Sequence, residues 1–102
     1  MSRVRSNYTP TEVRRLVEEY AALRASADTT RRGLRTLVEL ADLNKALSYL
    51  PLKLWRPVLV HGLLGVPQAE TAQALGLSQQ AVSKRYRQGL EDVTYWINGG
   101  EE

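Results

Sequence analysis

Four prolines and two glycines divide this chain into segments, and within each segment the apolar residues recur at three- and four-residue spacing. Pro10, Pro51, Pro57 and Pro67 have no amide donor, so each must start, end or bend a helix. Gly65 and Gly76 supply the conformations that helices use to stop. No segment carries a strand signal, and there is no internal repeat and no low-complexity tract. The pattern predicts an all-α fold of about five helices.

The first helix opens at "TPTE". Thr9 caps it, Pro10 suits its first position and Glu12 completes a capping box with Thr9. Val13, Leu16, Val17, Tyr20 and Leu23 form its apolar stripe, and it is expected to run to about Ser26. Asp28 or Thr29 caps a second helix from about Arg31 to Leu50. That helix carries two apolar rows, Leu34, Leu37, Val38 and Ala41 beside Leu40, Leu43, Leu47 and Leu50, while Gly33 weakens its start. After Pro51 a turn is expected over residues 50–55. Pro57 has no amide donor and restrains Arg56, so the next helix is placed from about Arg56 to Leu64, with Gly65 as its C-cap. Pro67 opens a helix to Leu75, and Ser78 caps a last one from Gln79 to about Ile97. Residues 1–8 read as a flexible basic arm with Arg3 and Arg5, 9–49 as an N-terminal helical pair, 50–97 as a binding region and 98–102 as a frayed tail.

At 102 residues the chain has material for one modest core. It holds no cysteine, which excludes disulfides and cysteine-based zinc sites, and with a single histidine, His61, and no clustered carboxylates no metal site is expected. His61 reads as a residue at the edge of the core. No serine sits in a nucleophile elbow and no glycine loop suits phosphate, so no catalytic residue, metal or cofactor is expected. No apolar run is long enough to cross a bilayer, and "MSRVRSNYTP" lacks the apolar stretch of a signal peptide. Charge is unevenly spread. Residues 1–65 hold 11 Lys/Arg against 6 Asp/Glu, whereas residues 66–102 hold 3 against 5. Those three are Lys84, Arg85 and Arg87, all within about one turn of the last helix.

That turn belongs to "QAETAQALGLSQQAVSKRYRQ", Gln68 to Gln88. Two short helices joined by a tight turn need a small residue at their crossing, a glycine in the turn, apolar residues on either side and a cap on the second helix. Ala72, Gly76, Leu75 with Leu77 and Val82, and Ser78 meet these needs in order. The exposed side of the second helix is expected to carry Ser78, Gln79, Gln80, Ser83, Lys84 and Arg87. Glutamine pairs with adenine and Lys or Arg with guanine in the major groove, and no acidic side chain interrupts this helix before Glu91. Gln68 and Thr71 are expected to hold the DNA backbone from the first helix. Tyr86 is expected in the core, packed with Trp96 against the N-terminal helices.

Over Leu50 to Val93, about 45 of the 102 residues, the chain resembles the fourth conserved region of sigma-70-type factors. The matching residues are Leu50-Pro51, Gly65, Glu70-Thr71-Ala72, Leu75 to Ser78, and Val82 with Arg85. Pro57 departs from that pattern. The segment "RPVLVHGLLGVPQAETAQALGLSQQAVSK" is also similar to TrfB-type plasmid repressors. The chain is too short for the sigma regions that bind the −10 element and the polymerase clamp, so the similarity is to small phage and plasmid regulators that use this region alone. Both resemblances imply a sequence-specific regulator of transcription bound to double-stranded DNA in a bacterial cytoplasm, at the nucleoid. The sigma resemblance adds RNA polymerase as a partner. Residues 9–48 either enlarge the core or form a homodimer, with Arg31, Arg32 and Arg35 available to phosphate. Two other readings stand beside this one: a phage DNA-packaging adaptor of the small-terminase kind, and a module that grips RNA polymerase or another host protein.

Overall fold

The computed structural model describes residues 8–26 and 41–100. The expectations for Arg3, Arg5, Asp28, Thr29, Arg31, Arg32, Gly33 and Arg35, for the apolar rows before Ala41, and for the last two residues lie outside them. The described residues form five helices and no strand. These are α1 (Pro10–Ser26), α2 (described over 41–47), α3 (Leu52–Pro57, continuing as a π-helical segment Val58–Leu63), α4 (Gln68–Leu75) and α5 (Gln79–Ile97). No described helix is long and apolar enough to cross a membrane.

The start of α1 forms as its sequence demands. The Thr9 amide donates to Glu12 Oε1 at 2.9 Å and the Glu12 amide donates to Thr9 Oγ1 at 3.2 Å, so each side chain accepts from an N–H group that lacks a helical partner. Val13, Leu16 and Val17 are buried from this helix, with Tyr20 half-buried beside them. From α2, Leu43, Ala46 and Leu47 join the same core, while Ala41, from the other expected row, is exposed. Val58 and Leu63 enter from the π segment, and Tyr86, Leu90, Val93 and Ile97 from α5. The core is therefore continuous across residue 50, with both N-terminal helices built into it.

The stretch after Pro51 differs from expectation. Helix α3 begins at Leu52, not Arg56, and Pro57 lies inside a continuous helical path with φ −62° and ψ −37°. With no amide, Pro57 cannot donate to the Lys53 carbonyl one turn back, and the chain widens immediately afterwards. The Leu64 amide reaches the Leu59 carbonyl at 2.9 Å and the Val66 amide reaches Val60 at 3.1 Å, steps of five and six residues. An interior proline costs about 3 kcal/mol. Leu54 and Val58, only 2% and 0% exposed, each return about 1.5–3 kcal/mol by burial, which together offset a cost of that size. Gly65 follows with φ +73° and turns the chain toward α4.

Two ends expected to be loose are held. Tyr8, assigned to the arm, is 4% exposed, and Asn98, assigned to the tail, hydrogen-bonds its backbone. Nearby, Tyr49 stacks on Trp96 with centroids 4.4 Å apart, fixing the chain after α2 to the last turns of α5.

Candidate nucleic-acid interface

Helices α4 and α5 are positioned by local chemistry at both ends of their turn. Gly76 takes φ +69°, a left-handed conformation that a Cβ would strain. The Leu77 amide then reaches back to the Ala72 carbonyl at 2.9 Å and the Gly76 amide to Gln73 at 3.4 Å, closing α4 with a Schellman pair. Ser78 starts α5, its hydroxyl oxygen accepting the Ala81 amide at 3.0 Å. Ala72, 6% exposed, and Val82, 0% exposed, lie on the buried side of this unit.

Helix α5 buries Val82, Tyr86, Gly89, Leu90, Val93 and Ile97. That spacing turns Gln80, Lys84 and Arg87 away from the core, whereas Gln79 shares the azimuth of Ile97 and is exposed because it lies in the first turn. Gln79, Gln80, Lys84 and Arg87 are exposed and Ser83 is half-buried. At 3.6 residues per turn these five side chains fall within an arc of about 140° along the first half of the helix. Ser78 is exposed at its tip. Glu91 is the first acidic residue on α5, and there the face meets α1: Pro10, Thr11 and Arg14 line a cleft with Arg87, Leu90 and Glu91. Arg14 and Arg87 thus line the same cleft. Nothing in the local sequence singles out Arg14, because only the packing of α1 on α5 brings it there.

The residues expected from α4 divide. Gln68 is half-buried at the first position of the helix. Thr71 does not reach the surface at all. It is 0% exposed, and its hydroxyl donates to the Val66 carbonyl at 3.2 Å. Its assignment as a DNA-backbone contact is therefore corrected: Thr71 is a buried tie between α4 and the loop before it. His61 uses the same acceptor, its Nδ1 lying 2.7 Å from the Val66 carbonyl. Its ring also meets the edge of Tyr86 at 4.8 Å between centroids. The π segment, the loop and α4 are joined at this one carbonyl.

Tyr86 anchors the back of α5. It is 3% exposed and its hydroxyl donates to Glu18 Oε2 at 3.3 Å, while the Arg14 guanidinium lies 5.9 Å from its ring centre. Burial pushes its pKa up to about 12, the negative charge of Glu18 adds to the rise, and Arg14 works against it. The ring serves the core and leaves the outward face of α5 to polar side chains. No group of three or more His, Cys, Asp or Glu side chains suited to a metal ion occurs among the described residues.

Comparison of the chain with protein-family models, with curated proteins and with solved structures finds no match.

Proposed function

We propose that the chain binds duplex DNA with the first half of α5 in the major groove and acts as a sequence-specific regulator of transcription. The observation that carries this reading is the outward face of α5, where Gln79, Gln80, Ser83, Lys84 and Arg87 are brought together with no carboxylate before Glu91. The major groove is about 12 Å wide and admits one α-helix of about 10–12 Å diameter. Gln79 and Gln80 offer paired donor and acceptor groups to adenine, and Ser83 donates to a base or phosphate. Lys84 and Arg87 reach guanine or the phosphates flanking the groove. The short α4, closed by Gly76, lies behind α5 as the first helix of a helix-turn-helix, with Gln68 at its amino end toward the backbone.

The resemblance of Leu50 to Val93 to the fourth region of sigma-70-type factors supports the same reading. It extends the reading to a bacterial cytoplasm and to RNA polymerase as a protein partner. A single α5 reads only a few base pairs, so a homodimer on two half-sites about one helical turn apart completes the proposal. Repeated selection from a pool of random duplexes, followed by sequencing, tests it. The expected result is one enriched motif, doubled at a spacing of about 10 base pairs if the protein binds as a dimer. A pool that stays random after several rounds refutes sequence-specific binding.

A further inference from the structure

A second surface lies on the opposite side of α5. Leu52, Lys53 and Arg56 of α3, Leu75 of α4, Leu77 of the turn and Arg85 of α5 line a cleft of about 280 Å³. Its lining combines three leucines with three cations. Leu52 is 58% exposed, and no acidic side chain lines the cleft. At 100° per residue, Arg85 points about 170° away from the centre of the face formed by Gln79, Gln80, Ser83, Lys84 and Arg87. A duplex seated on that face leaves Arg85 and the cleft open.

We propose that this cleft is the docking site for an acidic amphipathic helix of a partner protein. The chemistry of the cleft selects such a segment. Three cations with no carboxylate among the lining residues call for a polyanion, and guanidinium forks at Arg56 and Arg85 suit carboxylates held two at a time. Leu52, Leu75 and Leu77 call for apolar side chains between those carboxylates. A phosphate strand satisfies the cations but leaves the leucines wet. An amphipathic helix with acidic residues flanking its apolar stripe covers both, while the stems of Lys53 and Arg56 add apolar contact. The inference rests on the cleft and not on the DNA reading, and the two surfaces are placed to be occupied together.

The test uses the full chain, labelled with ¹⁵N, and a synthetic peptide with leucines at helical spacing separated by Asp and Glu. One control peptide carries Asn and Gln in place of the acids, and another carries serine in place of leucine. The expected result is that the first peptide shifts the amide signals around Lys53, Arg56, Leu77 and Arg85, and that neither control does so. Lys53→Glu combined with Arg56→Glu weakens binding about tenfold or more, Leu52→Ser weakens it less, and Lys84→Ala leaves it unchanged. All these positions are solvent-exposed, so the variants fold. Equal binding of the serine peptide, or unchanged binding by the double variant, overturns the proposal. Displacement of the peptide by duplex DNA overturns it too, and assigns the cleft to nucleic acid. Peptide binding in a protein that holds no duplex sinks the DNA reading alone.

Discussion

Asn98 holds the backbone of Tyr8 with both halves of its amide: the Tyr8 N–H donates to Asn98 Oδ1 at 2.7 Å, and Asn98 Nδ2 donates to the Tyr8 carbonyl at 2.9 Å. The two residues are 90 positions apart in the chain. This clasp ties the entry of α1 to the end of α5, so the long helix carrying the candidate interface is fixed at its far end. Asn98→Ala removes both bonds and is expected to cost about 1–3 kcal/mol. Asn98→Asp keeps the acceptor but turns a carboxylate oxygen toward the Tyr8 carbonyl oxygen, and is expected to cost at least as much. Urea denaturation of the three proteins checks the order, and an alanine variant as stable as the parent contradicts it.

Tyr86 gives the fold a dependence on alkaline pH. Its folded pKa of about 12 lies above the ordinary value of 10.0, so the folded state favours the neutral phenol. Below about pH 10 both states keep the proton and this contribution is complete. As the pH rises from about 10 to about 12 the unfolded chain loses the proton while the folded chain holds it, so stability falls. Tyr86→Phe is expected to lack that part of the loss. Denaturation of both proteins at about pH 9 and about pH 11.5 measures it, and equal losses rule out the assignment.

Gly62 of the π segment packs against both α1 and α5. A Cβ there would stand 2.5 Å from Val17 Cγ1 and 2.9 Å from Tyr86 Cε1. Val17 is 0% exposed and has no space to yield. Gly62→Ala is expected to destabilise the protein by about 1–3 kcal/mol through overpacking, read as a lower thermal midpoint. An unchanged midpoint would show that the helices can separate without cost.

Thr71 separates structural from DNA-contacting roles on α4. Thr71→Val keeps the shape of the side chain and removes its hydrogen bond to Val66. The expected cost is about 0.5–1.5 kcal/mol of stability with no change in affinity for duplex DNA. A selective loss of DNA affinity in a variant of unchanged stability would return Thr71 to the interface.

Features governed by near neighbours were legible in the sequence. The Thr9–Glu12 capping box, the Ser78 cap and the bounds of α5 rest on residues within four positions of one another, and each formed where the residues indicated. Gly76 was legible for the same reason, since only the left-handed turn requires it. Pro57 misled because local rules charge it the full cost of an interior proline. They do not see the buried Leu54 and Val58, which favour the helical path through the proline. Thr71 misled because Gln68 and Thr71 share a helix face in the sequence, and only the folded loop at Val66 decides which of them is covered. The clasp between Asn98 and Tyr8, the tight passage at Gly62 and the placing of Arg14 in one cleft with Arg87 depend on contacts between distant segments, and no local pattern announces them.

In the proposed function the outward face of α5 reads duplex DNA. This is tested most directly by fluorescence anisotropy, at two salt concentrations, with a selected duplex and a random competitor. The parent protein is compared with Arg87→Ala and Gln80→Ala. The selected duplex is expected to bind well above random DNA. Arg87→Ala should weaken binding to both and lower the salt slope by about 1, and Gln80→Ala should cost about 1–3 kcal/mol on the selected sequence alone. Unchanged affinity in both variants would contradict this orientation of α5, and binding that is weak and equal on every duplex would contradict the function itself.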